Sequence, residues 1–153
     1  MTSTPAVIVD LDGTVATHVL PDGSFTRHHH HYRAVGWDLP NEPVIAVVRA
    51  LHAAGHQIIF CSGRPIRDDQ GFDVGRASYH WLFEHVGEWT RACPLFMRAA
   101  GDRRSDDIVK REIYESFLKD RYDVYLALDD RDRVVALWRS LGITCLQVAD
   151  GDF

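Results

Sequence analysis

The sequence predicts an α/β protein: a parallel sheet of about five strands, helices on both faces, and a small insert after the first strand. Three observations carry this. Short apolar runs that end in turn residues alternate with segments whose apolar residues recur at one-face helical spacing. No internal repeat or long linker interrupts the chain, so residues 1–153 read as one domain, large enough for a real core. Polar and charged residues gather directly after the apolar runs, where a parallel sheet binds its ligands.

Composition narrows the class. At 46% hydrophobic and 25% charged residues the chain matches an ordinary globular protein. A formal net charge of −5 argues against a surface built to coat nucleic acid, though a chain end could still enter a locally basic mouth. Cys61, Cys93 and Cys145 are odd in number and scattered, which fits buried free thiols in a reducing compartment better than a disulfide framework. No apolar stretch approaches membrane-spanning length, and the N-terminus lacks a basic region with a long apolar core. A cytoplasmic protein without membrane attachment is expected.

Ala6-Val7-Ile8-Val9 is the first buried strand, and it ends in Asp10-Leu11-Asp12-Gly13-Thr14. Two carboxylates two residues apart raise each other's pKa and are costly to bury unless a cation offsets them. Gly13 lets the backbone turn so that both reach one pocket. The bland alternative is a strand followed by an Asx-type turn. An insert follows at about 15–41, with Pro21-Asp22-Gly23 as a turn signal and Val15 to Thr26 as a hairpin flap. The His28-His29-His30-His31 run reads as a solvated loop, because adjacent side chains diverge too much to share a metal.

Pro43 opens a helix with Val44, Val47, Val48 and Leu51 inward, and Gly55 ends it. Gln57 to Cys61 is the second strand, with Ser62-Gly63-Arg64-Pro65 as its terminal loop. Tyr79, Leu82, Phe83 and Val86 mark the next helix, and Pro94 to Met97 the third strand. After a polar loop from Arg98 to Arg104, Ser105 caps a helix carrying Val109, Ile113 and Phe117 inward. Val124 to Leu128 is the fourth strand, ending in Asp129-Asp130. Val134, Leu137, Trp138 and Leu141 form the last helix, and Ile143 to Val148 the fifth strand. The alternation describes a Rossmann-like sheet.

Three strand ends are therefore chemically loaded: Asp10 and Asp12, then Ser62 with Gly63 and Arg64, then Asp129 and Asp130. Lys110 lies one helical turn past Asp106, on the same edge. Phosphoryl transfer to a carboxylate needs this set, since an anionic nucleophile meets a phosphate dianion only when a divalent metal and fixed cations cancel the repulsion. Asp10 is the expected nucleophile. Asp12, kept partly protonated by its neighbours, protonates the leaving oxygen and then deprotonates water. Lys110 holds nucleophile and phosphate, Ser62, Gly63, Arg64 and Asp106 bind substrate, and Asp10, Asp12, Asp129 and Asp130 suit Mg²⁺.

These segments, in this order, resemble the haloacid-dehalogenase-like phosphatases. Further along, Ser62-Gly63-Arg64, Gly101 to Lys110, Leu128-Asp129-Asp130-Arg131 with Val134-Val135 and Trp138-Arg139, and Gln147 to Phe153 are similar to the 3′-phosphatase domain of phage-type polynucleotide kinase-phosphatases. The resemblance runs from about Val7 to the end and is loose between Val15 and Asn41. It implies Mg²⁺-dependent removal of 3′-phosphate from DNA or RNA ends in nucleic-acid repair, through an aspartyl phosphate. It also implies an arginine of the insert near the substrate, either Arg27 or Arg33. No Gly-x-x-x-x-Gly-Lys-Ser/Thr stretch occurs in the chain, so a kinase or ligase partner is expected on a separate chain, or this is a fragment of a longer protein.

Three rivals stand beside this reading. A phosphatase of the same fold could act on small phosphomonoesters or nucleotides. A silent module could keep the phosphate pocket without catalysis, against which the intact Asp10 and Asp12 speak. Cys61 and Arg67 have the spacing of a cysteine-dependent phosphatase, but Pro65 removes a donor that such a loop must aim at phosphate.

Overall fold

The first strand, β1 (Pro5–Val9), has no residue willing to face water after its first position, and it lies in the middle of the sheet. The computed structural model describes residues 4–153. β1 pairs in parallel with β4 (Gln57–Pro65) on one side and β6 (Asp123–Asp129) on the other. β5 (Leu95–Arg98) and β7 (Thr144–Gln147) form the edges, giving the order β5-β4-β1-β6-β7. All five strands are parallel, so their carboxyl ends share one edge. β1 sits where the chain order reverses, the position at which open α/β sheets bind ligands.

Side-chain alternation along β1 divides the core. Val7 and Val9, with Ile58 and Phe60 of β4, face a layer made by α1 (Glu42–Ala53) and α2 (Val74–His85), where Ile45, Val48, Trp81 and Leu82 are buried. Ala6 and Ile8, with Ile59 and Cys61, face α3 (Asp106–Ile113) and α4 (Asp132–Ser140), where Val109, Ile113, Val134 and Trp138 close the other side. The insert forms a two-stranded antiparallel ribbon, β2 (Ala16–Thr17) with β3 (Leu39–Pro40). A loop turned at Leu20–Ser24 and a 3₁₀ stretch over Tyr32–Trp37 join the two strands. Inside the expected flap over Val15 to Thr26, Val19 and Phe25 form an antiparallel bridge and Thr26 N–H donates to the His18 carbonyl at 2.8 Å, while the ribbon's second strand comes from the far end of the insert.

Several expected packings shift. Val47 is 46% exposed and Ile45 takes the inward place, because the buried stripe of α1 centres on Ile45 and Val48 with Val44 and Leu51 at its margins. Phe117 is 45% exposed rather than inward. After α3 the chain winds into a wider π turn over Tyr114–Leu118, closed by Lys119 N–H donating to the Tyr114 carbonyl at 3.0 Å, which moves the inward position on to Leu118. Ser105 precedes α3 as expected but makes no side-chain capping bond. No helix among the described residues is long and apolar enough to cross a membrane.

Candidate active site

Pairing fixes the first carboxylate. Asp10 N–H donates to the Leu128 carbonyl at 3.0 Å, continuing the ladder between β1 and β6 by one residue and bringing Asp10 beside Asp129. Between them sits the buried ammonium of Lys110, which donates to Asp10 Oδ1 at 2.7 Å and to Asp129 Oδ2 at 2.8 Å. The Thr14 hydroxyl donates to Asp10 Oδ2 at 3.0 Å, and the Trp138 indole N–H to Asp129 Oδ2 at 3.3 Å. Both Asp10 oxygens are therefore held. Asp130 completes the group: Asp10, Asp129 and Asp130 offer carboxylate oxygens that all lie within 4.8 Å of one another.

Gly13 is required here by space as well as by conformation. Its φ is +82°, and an added Cβ would lie 2.1 Å from Asp130 Oδ2. The electrostatics show the strain of three acids around one lysine. Burial, which Lys110 opposes and Asp129 and Asp130 reinforce, pushes Asp10 well above the usual carboxylate range. Burial and then Asp129 push Asp130 up to about 6. Lys110 goes further up, since the attraction of Asp10 and Asp129 outweighs its burial. Among the described residues no side-chain cation pairs with Asp130, so this donor set has room for one hard cation.

Asp12 stands apart from that cluster. Arg64 grips it with two bonds, Nε to Oδ2 at 2.8 Å and Nη2 to Oδ1 at 2.7 Å, and Arg27 Nη2 donates to Oδ1 at 2.9 Å. Behind them lies a residue that the sequence did not single out. Asp38, whose side chain is fully buried, accepts from Arg27 Nε at 2.6 Å and from Arg64 Nη2 at 2.8 Å. The Ser78 hydroxyl takes a further Arg64 donor at 3.0 Å. Two expectations are corrected. Burial would raise Asp12, but Arg64 and then Arg27 overcome it and hold the acid down at about 2, so it is ionised rather than partly protonated. The cation cluster among the described residues comprises Asp10, Asp129 and Asp130, and the Asp12 carboxylate is committed to guanidinium groups instead.

The two arginines of the insert sit in different surroundings. Arg27 is buried against Asp12 and Asp38, whereas Arg33 pairs with Asp68 at the surface at 2.9 Å. Ser62 is buried at the end of β4, where its hydroxyl accepts from Arg64 N–H at 3.1 Å. Gly63 lies against Asp106, whose Oδ1 would be 2.8 Å from a Cβ placed there. Asp106 is clamped by Arg98 and by Arg131, a second group the sequence left without a role. In the polar loop before α3, Arg104 pairs with Asp102 and Glu112, and Arg103 with Asp69. Cys61 is fully buried and burial pushes its thiol up to about 12, which removes it as a nucleophile at neutral pH.

Comparison with known proteins gives the family of the chain. Residues 4–153 match the family described as polynucleotide kinase PNKP phosphatase domain. The chain belongs to that family. It is a haloacid-dehalogenase-like phosphatase domain. A protein of Autographa californica nuclear polyhedrosis virus named "Putative bifunctional polynucleotide kinase/RNA ligase" is 31% identical over 141 residues, which is 90% of this chain and 18% of that one. A chain of the solved Pnkp1/Rnl/Hen1 complex superposes with a TM-score of 0.80 at 31% identity, covering 100% of this chain and 48% of its own length. A chain of the Pnkp1/Rnl/Hen1 RNA repair complex gives 0.80 at 31% identity, with 99% and 44% covered. The chain thus spans less than half the length of each of these relatives.

Proposed function

We propose that this phosphatase domain is a Mg²⁺-dependent polynucleotide 3′-phosphatase in which Asp10 accepts the phosphoryl group. The observation that carries the reading is the double clamp on Asp10, Lys110 on one oxygen and Thr14 on the other, at the edge where Asp129 and Asp130 converge. Asp10, Asp129 and Asp130 would hold the cation. Bound there, it would offset the repulsion between the Asp10 carboxylate and a phosphate dianion.

Asp10 attacks phosphorus, forming an aspartyl phosphate as the bond to the 3′ oxygen of the strand breaks. Asp12 manages protons. An incoming phosphate competes for the Arg64 and Arg27 donors that keep Asp12 low, so as these donors turn to the substrate Asp12 rises, takes up a proton from solvent and passes it to the leaving oxygen. The ionised Asp12 then takes a proton from the water that hydrolyses the aspartyl phosphate, releasing inorganic phosphate and free Asp10. Lys110 stays between Asp10 and Asp129 throughout as a fixed point charge. Ser62 and the backbone at Gly63, at the irregular carboxyl end of β4, supply donors to the remaining phosphate oxygens.

The relatives' names, a polynucleotide kinase/RNA ligase and an RNA repair complex, support polynucleotide ends as the substrate and kinase and ligase activities as the partners. The test compares a 3′-phosphorylated oligonucleotide with a 3′-mononucleotide in Mg²⁺. The oligonucleotide should be cleaved faster, and Asp10→Asn should lose turnover by roughly 10³-fold or more while keeping its fold by circular dichroism. Equal cleavage of the two substrates would refute the polymer, and an active Asp10→Asn protein would refute the nucleophile.

A further inference from the structure

Next to Arg27 the insert builds a surface that the reacting carboxylates do not use. Phe25 is 65% exposed, and with Arg27, His28 and His29 it lines a cleft of about 370 Å³. The rings there are layered. His28 and His29 stack with centroids 4.4 Å apart at 29°, and His29 lies 3.9 Å from His30. On the other side His18 stacks on Phe25 at 6.0 Å and 27°. Among the described residues, His18 Nδ1 is the one buried side-chain polar atom without a hydrogen-bond partner.

These rings are tied to the reaction site through one planar group. Arg27 Nη1 donates to the His29 carbonyl at 2.9 Å and to the His28 carbonyl at 3.3 Å, while Nη2 of the same guanidinium donates to Asp12 at 2.9 Å. The shelf is therefore one guanidinium away from the place where phosphate binds. The imidazoles do not converge as metal ligands would: among the described residues, the one group with ligand atoms close enough is Asp10, Asp129 and Asp130.

We propose that Phe25, His28 and His29 form the subsite for the base of the nucleotide that carries the 3′-phosphate. The proposal rests on the 3′-phosphatase reading and names the part of the substrate that the insert holds. Within one nucleotide only the sugar separates the 3′-phosphate from the base, so a base falls on the surface directly beside the phosphate donors. Every base has a π face, and flat side chains bind it without demanding a sequence. Stacking also suits a protein whose net charge of −5 provides no general attraction for nucleic acid.

The test measures kcat/KM on a 3′-phosphorylated oligonucleotide, on the same oligonucleotide ending in a 3′-phosphorylated abasic sugar, and on an aryl phosphate. In a Phe25→Ala, His29→Ala protein the ratio of oligonucleotide to aryl phosphate should fall about tenfold, through KM. The abasic-ended substrate should start low on the natural chain and lose little more. Phe25→Trp with His29→Tyr should restore the ratio. An unchanged ratio overturns the subsite, as does an equal loss on the abasic-ended strand or a parallel loss on aryl phosphate. Failure of the underlying reading looks different. There the natural chain cleaves a 3′-mononucleotide as well as the oligonucleotide, while the alanine variant still loses ground on both relative to aryl phosphate.

Discussion

At Asp130, burial and the neighbouring Asp129 raise the acid from an ordinary 3.8 to about 6. Folding therefore works against its charge. Above pH 6 Asp130 is ionised in both the folded and the unfolded chain, and the folded state carries the full penalty. Between pH 6 and pH 3.8 the folded chain takes up its proton first, so this penalty fades as pH falls. Asp130→Asn should accordingly raise the Tm of the metal-free protein at pH 7, by roughly 2–6 °C, with the difference shrinking as pH falls through 6. The same variant should lack the Tm increase that the proposed Mg²⁺ site predicts for the natural chain. A destabilised Asn variant at pH 7 would contradict the electrostatic account. Cys61 makes the opposite case: its thiol, buried and pushed up to about 12, has no charge to give, so Cys61→Ser should retain most activity against any phosphomonoester.

At the scale of elements, the two loops that start α2 and α3 differ in a measurable way. The Asp73 side chain accepts from Arg76 N–H at 2.8 Å and caps α2, whereas Ser105 makes no such bond to α3. Asp73→Ala should cost about 1 kcal/mol in urea unfolding and Ser105→Ala less than about 0.5. Equal losses would show that the loops, not the caps, set the helix starts. The same scale explains what could be read from the sequence. Asp10, Asp129 and Lys110 were legible because consecutive strand ends of a parallel sheet must meet on one edge, and α3 returns to it. Arg27 and Arg33 could not be told apart, because the insert has no periodicity to fix its direction. Asp38 is a lone acid with no spacing to mark it, and only its contacts with two arginines give it a role. The charge state of Asp12 leaves no mark in the sequence, because its decisive partner, Arg64, lies 52 residues away. The outward turn of Phe117 is equally hidden, because a π turn adds a residue that helical spacing does not foresee.

Across the whole molecule the question is how a chain with net charge −5 would attract the polyanion that the proposed reaction requires. The mouth alone does not supply the answer. Among the described residues, Lys110, Arg27, Arg64, Arg98 and Arg131 pair with Asp10, Asp12, Asp38, Asp106 and Asp129, and Asp130 is left over, so the acids outnumber the cations by one. A divalent cation on Asp10, Asp129 and Asp130 would reverse that balance. Binding itself, and not only turnover, should then depend on the metal. With an oligonucleotide ending in a non-hydrolysable 3′-phosphonate, affinity should be measurable in Mg²⁺ and fall at least tenfold in excess chelator. The salt dependence in Mg²⁺ should also be shallow, because in the proposed complex about two phosphates would touch protein cations and log affinity falls with log salt by about 0.7 per contact on a single strand. A slope of about −1 to −2 would fit a terminal phosphate and one neighbour held at the mouth. Affinity that survives the chelator, or a slope several times steeper, would mean that a longer basic track outside this site holds the strand.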